Sequence, residues 1–126
     1  MNVVDSSGWL EYFAEGPNAD FFASAIEAKR ELLVPVISVY EVFKRVLQQK
    51  GEDAALQAIV QMMQGQVINL DTTLALQAAK TSVELKLPMA DSMILTTARA
   101  YEAVVWTQDE HFEGLDDVRY IEKQSK

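Results

Sequence analysis

The sequence predicts a three-layer α/β/α sandwich, an α/β fold built on a central parallel sheet of four to five strands. Two observations carry this expectation. Short apolar, largely β-branched runs recur along the chain, at 2–5, 33–37, 66–70 and 103–106, and the stretches between them place apolar residues at helical spacing. Strands that alternate with helices imply parallel pairing, because a parallel neighbour is reached only by a long crossover, usually helical. At 126 residues the chain is long enough to bury one core, and we read 1–126 as a single domain. With 49% apolar and 24% charged residues, the composition is that of a folded globular chain rather than a disordered one.

Taken in order, Asn2 to Asp5 is a short strand that breaks at Asp5-Ser6-Ser7-Gly8, after which Trp9, Leu10, Tyr12 and Phe13 begin a helix. Asn18 opens a second helix, whose stripe of Phe21, Phe22, Ala25 and Ile26 points to an element running to about Glu31. Leu33 to Ile37 is the second strand, with Pro35 placing a residue without an N–H at its centre. Ser38 opens a helix that Gly51 ends, and Glu52 to Gly65 forms the next. Gln66 to Leu70 is the third strand, and Asp71 caps a helix running to Lys86. After Leu87-Pro88, Met89 to Tyr101 is helical again. Ala103 to Trp106 is a buried fourth strand, Val118 to Ile121 a short fifth strand at the edge, and Glu122 to Lys126 a frayed tail.

Several function classes drop out at once. With no cysteine there is no disulfide framework, thiolate metal site or cysteine nucleophile. His111, the one histidine, has no serine placed near it in a triad motif and reads as a surface residue. No glycine-rich phosphate loop is present. The N-terminus does not resemble a signal peptide, and the longest apolar stretch, Leu32 to Tyr40, falls short of the roughly 20 residues of a membrane helix, so a cytoplasmic protein with no membrane partner is expected. A net charge of −8 argues against broad, nonspecific adhesion to nucleic acid, though not against handling one phosphodiester at a metal site.

What remains is a constellation of acids. Ligands of open parallel sheets bind outside the carboxyl ends of the strands. Asp5 ends the first strand, Glu41 lies one turn into the helix after the second, and Asp109 follows the fourth, so all three fall on that edge. Asp91 begins the helix leading into the fourth strand, and whether it reaches the edge depends on how that helix is placed. Each acid also has a local explanation. Ser38-Val39-Tyr40-Glu41 fits a capping box, Asp5 fits a helix cap, and Asp91 and Asp109 fit helix N-termini, where a carboxylate gains roughly 0.3–1 kcal/mol from the macrodipole. Together, four carboxylates with no histidine or cysteine among them suit a hard dication such as Mg²⁺, which removes the repulsion among them, and make zinc a poor candidate. Lys44 and Arg45, three and four residues beyond Glu41, are candidates to hold a phosphate backbone, or alternatively to pair with Glu41 on a solvated face. Ser6 and Thr107 offer hydroxyls at the same edge to substrate, carboxylate or water, or are ordinary turn residues.

The order Val3-Val4-Asp5-Ser6-Ser7, Ser38-Val39-Tyr40-Glu41, Ala90-Asp91-Ser92 and Thr107-Gln108-Asp109-Glu110-His111-Phe112 resembles the PIN-domain nucleases and, at this length, the VapC-type toxins of toxin–antitoxin pairs. The resemblance spans almost the whole chain. It implies an endoribonuclease whose metal is held chiefly by Asp5 and Asp91, with Glu41 and Asp109 completing the catalytic set and Asp109 joining the metal ligands. It further implies Mg²⁺ or alternatively Mn²⁺, an RNA substrate, a homodimer, and a small antitoxin that wraps the active-site groove. Two rival readings remain: a catalytically silent module of the same fold, and a receiver-like phosphoacceptor domain. The latter expects an acidic pair at the end of the first strand and a lysine after the last, and neither is present.

Overall fold

The computed structural model describes residues 1–125. Five strands, β1 (Asn2–Val4), β2 (Leu32–Pro35), β3 (Gln66–Ile68), β4 (Val104–Thr107) and β5 (Val118–Tyr120), form one sheet in the order β3-β2-β1-β4-β5. Every pairing is parallel. The helices are α1 (Ser6–Phe13), α2 (Ala19–Ile26), α3 (Val36–Lys50), α4 (Glu52–Met62), α5 (Thr72–Leu85) and α6 (Met89–Ala100). From β1 the chain winds outward through β2 to β3, then returns across the sheet to place β4 on the other side of β1. The direction of winding therefore reverses at β1/β4, and the carboxyl ends of these two strands frame the crevice that such a switch point leaves open.

Right-handed crossovers that travel in opposite directions put their helices on opposite faces. Accordingly α1 to α4 cover one face and α5 and α6 the other. Alternation along the strands supplies both cores: Val4, Leu32, Val34 and Trp106 pack with Trp9, Phe22, Val42 and Met62 on the first face. Val3, Leu33, Ile68 and Val105 pack with Leu74, Ile94, Leu95 and Phe112 on the second. Strands buried on both sides explain why the sequence shows continuous apolar runs there.

Several boundaries depart from the sequence reading: α4 ends at Met62 rather than Gly65 and β3 at Ile68 rather than Leu70, and three others have a clear cause. Helix α2 ends at Ile26 and a 3₁₀ turn at Lys29–Glu31 follows, because Glu27 to Glu31 offers no large apolar side chain to bury. Pro35 is the last residue of β2, beyond the stretch paired with β1, so its missing N–H interrupts no central ladder. Helix α3 consequently starts at Val36, two residues before Ser38. Of the expected tail, Glu122 to Ser125 carry neither helix nor strand, and Lys126 lies outside the described residues. Among the described residues, no helix is long and apolar enough to cross a membrane.

Candidate metal centre

Asp5 leaves the end of β1 at the switch point and caps α1. Its Oδ1 accepts from the Gly8 amide at 2.9 Å, the Ser7 hydroxyl donates at 2.8 Å to Oδ1 and 3.0 Å to Oδ2, and the Thr107 hydroxyl donates to Oδ2 at 2.7 Å. The amide of Gly8 reaches because α1 packs tightly here: a Cβ on that residue would stand 2.6 Å from the Phe22 ring and 2.7 Å from Val4. Asp5 is only 2% exposed. Burial pushes its carboxyl up to about 7, against the hydrogen bonds from Thr107, Gly8 and Ser7 that lower it, with the charge of Asp109 adding a further push upward. Ser7 has one hydroxyl proton, so three protons in all serve a carboxylate with about four lone-pair sites. About one lone pair is left for another partner.

Thr107, the last residue of β4, links this buried acid to the outer ones. Its hydroxyl donates to Asp5 and accepts from the Asp109 amide at 2.9 Å. Asp109 caps a 3₁₀ turn at Glu110–Phe112, accepting from the His111 amide at 2.9 Å. That turn folds the imidazole back over the acids, with Nδ1 2.9 Å from Asp91 Oδ2 and 3.2 Å from Asp109 Oδ1. Asp91 gets there because α6 precedes β4 and runs antiparallel to it, which brings the N-terminus of α6 to the carboxyl edge. Burial first, then the charge of Asp109, raises the Asp91 carboxyl above its ordinary value; the His111 hydrogen bond and charge oppose this, and the charge of Glu41 adds to it. His111 in turn is raised, chiefly by its hydrogen bond to Asp91.

Glu41, the sixth residue of α3, accepts a 2.6 Å hydrogen bond at Oε1 from Ser6. The capping box expected at Ser38 is absent: α3 starts too early for it, and the buried Ser38 hydroxyl has no hydrogen-bond partner. The cap expected of Asp5 is present, and Asp109, expected at a helix N-terminus, caps the 3₁₀ turn, so these acids serve the backbone and the site at once.

The sheet thus brings Asp5, Asp91, Asp109 and Glu41 to one edge, with Ser6 and Thr107 each bound to one of the acids. Lys44 and Arg45 form no ion pair with Glu41 among the described residues. The Lys44 ammonium lies 5.8 Å from the centre of the Tyr40 ring. Arg45 lines a groove of about 420 Å³ beside α1 and α4, together with Ser7, Lys50, Gln108 and Lys123. His111 was expected on the surface; its side chain is indeed 52% exposed, yet it touches two of the acids. Its spacing two residues after Asp109 was the available signal, because a tight turn at that point returns the side chain to the cap.

The donor set fits a divalent cation. Asp91, Asp109 and His111 each offer a ligand atom, all within 4.8 Å of one another. Asp5 retains a lone pair, and the like charges that raise its carboxyl and that of Asp91 are those a dication would neutralise.

A family model for the PIN domain matches residues 3–118, from within β1 to the first residue of β5. The chain belongs to the PIN-domain family. This PIN domain also superposes on solved structures. One is a toxin–antitoxin complex from Klebsiella pneumoniae, with 21% identity and a TM-score of 0.79 over 94% of this chain and 96% of that one. Another is VapC20 of Mycobacterium tuberculosis, a toxin that cleaves the sarcin–ricin loop, with 18% identity and a TM-score of 0.73 over 94% and 99%. A third is VapBC2 of Rickettsia felis bound to a promoter DNA fragment, with 11% identity and a TM-score of 0.73 over 96% and 97%. At these identities the likeness is one of fold. No curated protein matches the chain in a sequence search. Membership in this family sets aside the receiver-like reading.

Proposed function

We propose that this PIN domain, read as one unit over 1–126, is a metal-dependent endoribonuclease and the toxin of a type II toxin–antitoxin pair. The single observation that carries the nuclease reading is the convergence of four sequence-distant carboxylates at the switch point of the sheet. In this reading Asp5, Asp91 and Asp109 hold the cation, Mg²⁺ or alternatively Mn²⁺. Bound there, it would supply a polarised water and neutralise charge developing on phosphate oxygens.

The chain's own residues then divide the remaining work. Thr107, Ser7 and the Gly8 amide fix the Asp5 carboxylate and leave about one lone pair open. Ser6 holds Glu41 by Oε1, which leaves Oε2 to accept the proton of the attacking water. A bond forms from a water oxygen to phosphorus, the bond from phosphorus to the leaving sugar oxygen breaks, and that sugar oxygen leaves as a hydroxyl with a proton taken from solvent. Arg45, in the groove that Ser7 and Gln108 share with the site, holds the RNA backbone, and Lys44 contributes at its margin.

The toxin role is supported by the toxin–antitoxin complexes among the similar structures. A protein partner is further supported by an apolar stripe on α3, where Val36, Tyr40 and Leu47 share one side and are 36%, 59% and 41% exposed. We assign that stripe to a homodimer, place the protein in the cytoplasm, and assign an antitoxin to the groove beside the acids.

The test is incubation of the purified chain with a panel of structured and single-stranded RNAs, with Mg²⁺, with Mn²⁺ and with chelator, followed by mapping of the ends. Discrete cuts are expected only with a cation, and Asp5→Asn should lower the rate by at least about 10²-fold while leaving the fold intact. Full activity in Asp5→Asn overturns the assignment. No cleavage of any RNA favours the silent module.

A further inference from the structure

We infer that His111 is a nitrogen ligand of this centre and sets which ion it takes, favouring a first-row transition dication such as Mn²⁺ or Co²⁺ over Mg²⁺. This rests on the metal-site reading above and deepens it.

Three observations lead here. First, the tightest group of potential ligands is not the set of acids alone; it is Asp91, Asp109 and His111. Second, the spacing suits a shared ion. An octahedral shell with bonds of about 2.1 Å has neighbouring donors about 3.0 Å apart, and His111 Nδ1 lies 2.9 Å from Asp91 Oδ2 and 3.2 Å from Asp109 Oδ1. Third, the ring is held rather than adrift. Its backbone amide donates to Asp109 Oδ1, the same oxygen that faces Nδ1, so the 3₁₀ turn itself sets the position of the imidazole.

The chemistry then decides the ion. Mg²⁺ is hard, prefers oxygen and keeps its waters, whereas imidazole suits the first-row transition dications, whose affinity for nitrogen rises along the series from Mn²⁺ to Ni²⁺. An all-carboxylate site would show little preference of this kind. One imidazole added to two or three carboxylates tilts the choice without excluding Mg²⁺.

A plain hydrogen bond from Nδ1 to the two carboxylates has the same length as a ligand–ligand edge, so the deciding measurement has to see nitrogen on the metal. The full chain is loaded with Mn²⁺, and pulsed electron paramagnetic resonance is used to look for coupling from a directly bound ¹⁴N. Calorimetric titrations with Mg²⁺, Mn²⁺ and Co²⁺ accompany it, each on wild type, His111→Ala and His111→Asp. The wild type is expected to show the nitrogen coupling and to bind Mn²⁺ at least about tenfold more tightly than Mg²⁺. His111→Ala should lose the coupling and about ten- to a hundredfold in Mn²⁺ and Co²⁺ affinity, with Mg²⁺ affinity changing about threefold or less. His111→Asp restores an oxygen ligand and should bring the Mn²⁺ to Mg²⁺ ratio back toward unity. Circular dichroism with chelator present checks that the variants fold, which the exposure of the side chain favours.

Absence of nitrogen coupling in the wild type, or an equal loss of all three ions in His111→Ala, overturns the inference. These outcomes separate it from the nuclease reading. RNA cleavage that depends on Asp5 but proceeds without metal-bound nitrogen removes His111 alone. Nitrogen coupling in a chain that cleaves no RNA leaves His111 as a ligand and removes the enzyme.

Discussion

The inner and outer halves of the centre are held in different ways. Asp5 is buried beneath α1 and accepts hydrogen bonds from both neighbouring elements, Gly8 and Ser7 on one side and Thr107 on the other. Asp91 and Asp109 have side chains 14% and 28% exposed and are steadied by a half-exposed histidine from a three-residue turn. The inner acid is therefore preorganised at a cost in stability. The outer acids are more open to solvent, although burial raises the Asp91 carboxyl as well. A centre made this way has one fixed point and a more open rim, and among the described residues Thr107 is the side chain that hydrogen-bonds to both.

The largest expected effect tests the cost of the fixed point. In an acid whose folded-state value is raised, the folded chain stays protonated where the unfolded chain ionises, so stability is lost as pH rises. Asp5 moves from 3.8 to about 7. With chelator present, wild type should lose stability relative to Asp5→Asn between about pH 4 and pH 7, reaching on the order of 4 kcal/mol at about 1.4 kcal/mol per unit. Urea unfolding across that range reads the difference, and parallel curves for the two proteins would show that Asp5 is not held as a costly charge.

The joint comes next. Thr107→Val keeps the shape of the strand but leaves the buried carboxylate one donor short and the Asp109 amide without its acceptor. A loss of about 1–3 kcal/mol in stability is expected, together with about ten- to a hundredfold in cation affinity. Calorimetric titration and urea unfolding on the same preparation separate the two effects. If affinity is untouched, the halves work independently. The smallest effect on folding belongs to the rim. Asp91→Asn should change stability by about 1 kcal/mol or less, while cation affinity falls at least tenfold by the same titration. A large destabilisation would mean that the rim, too, is structural.

Most of the architecture was legible because strands buried on both faces announce themselves as apolar runs, and because the alternation with helices leaves parallel pairing as the economical solution. The boundaries were less so. Pro35 reads as a defect in the middle of a strand, and only the register of β1, which stops at Leu33, shows that it stands at an end. The same shift turned Ser38 from an expected cap into a buried residue and freed Glu41 for Ser6. Asp91 was left open in the sequence because its reach depends on the direction of a whole helix, a long-range property. His111 is on the surface as expected, but its contact with Asp91 and Asp109 was illegible for the opposite reason: the fact needed was very local, a 3₁₀ turn that folds an exposed ring back onto the acids.

Gly8 bears neither charge nor polar side chain, yet the addition of one methyl group there would push α1 off Val4 and Phe22 and carry its amide away from Asp5. A scan for inactivating substitutions would thus flag a position that never meets a substrate, and would rank it beside the acids. Van der Waals room, as much as acidity, decides whether this edge of the sheet can hold an ion.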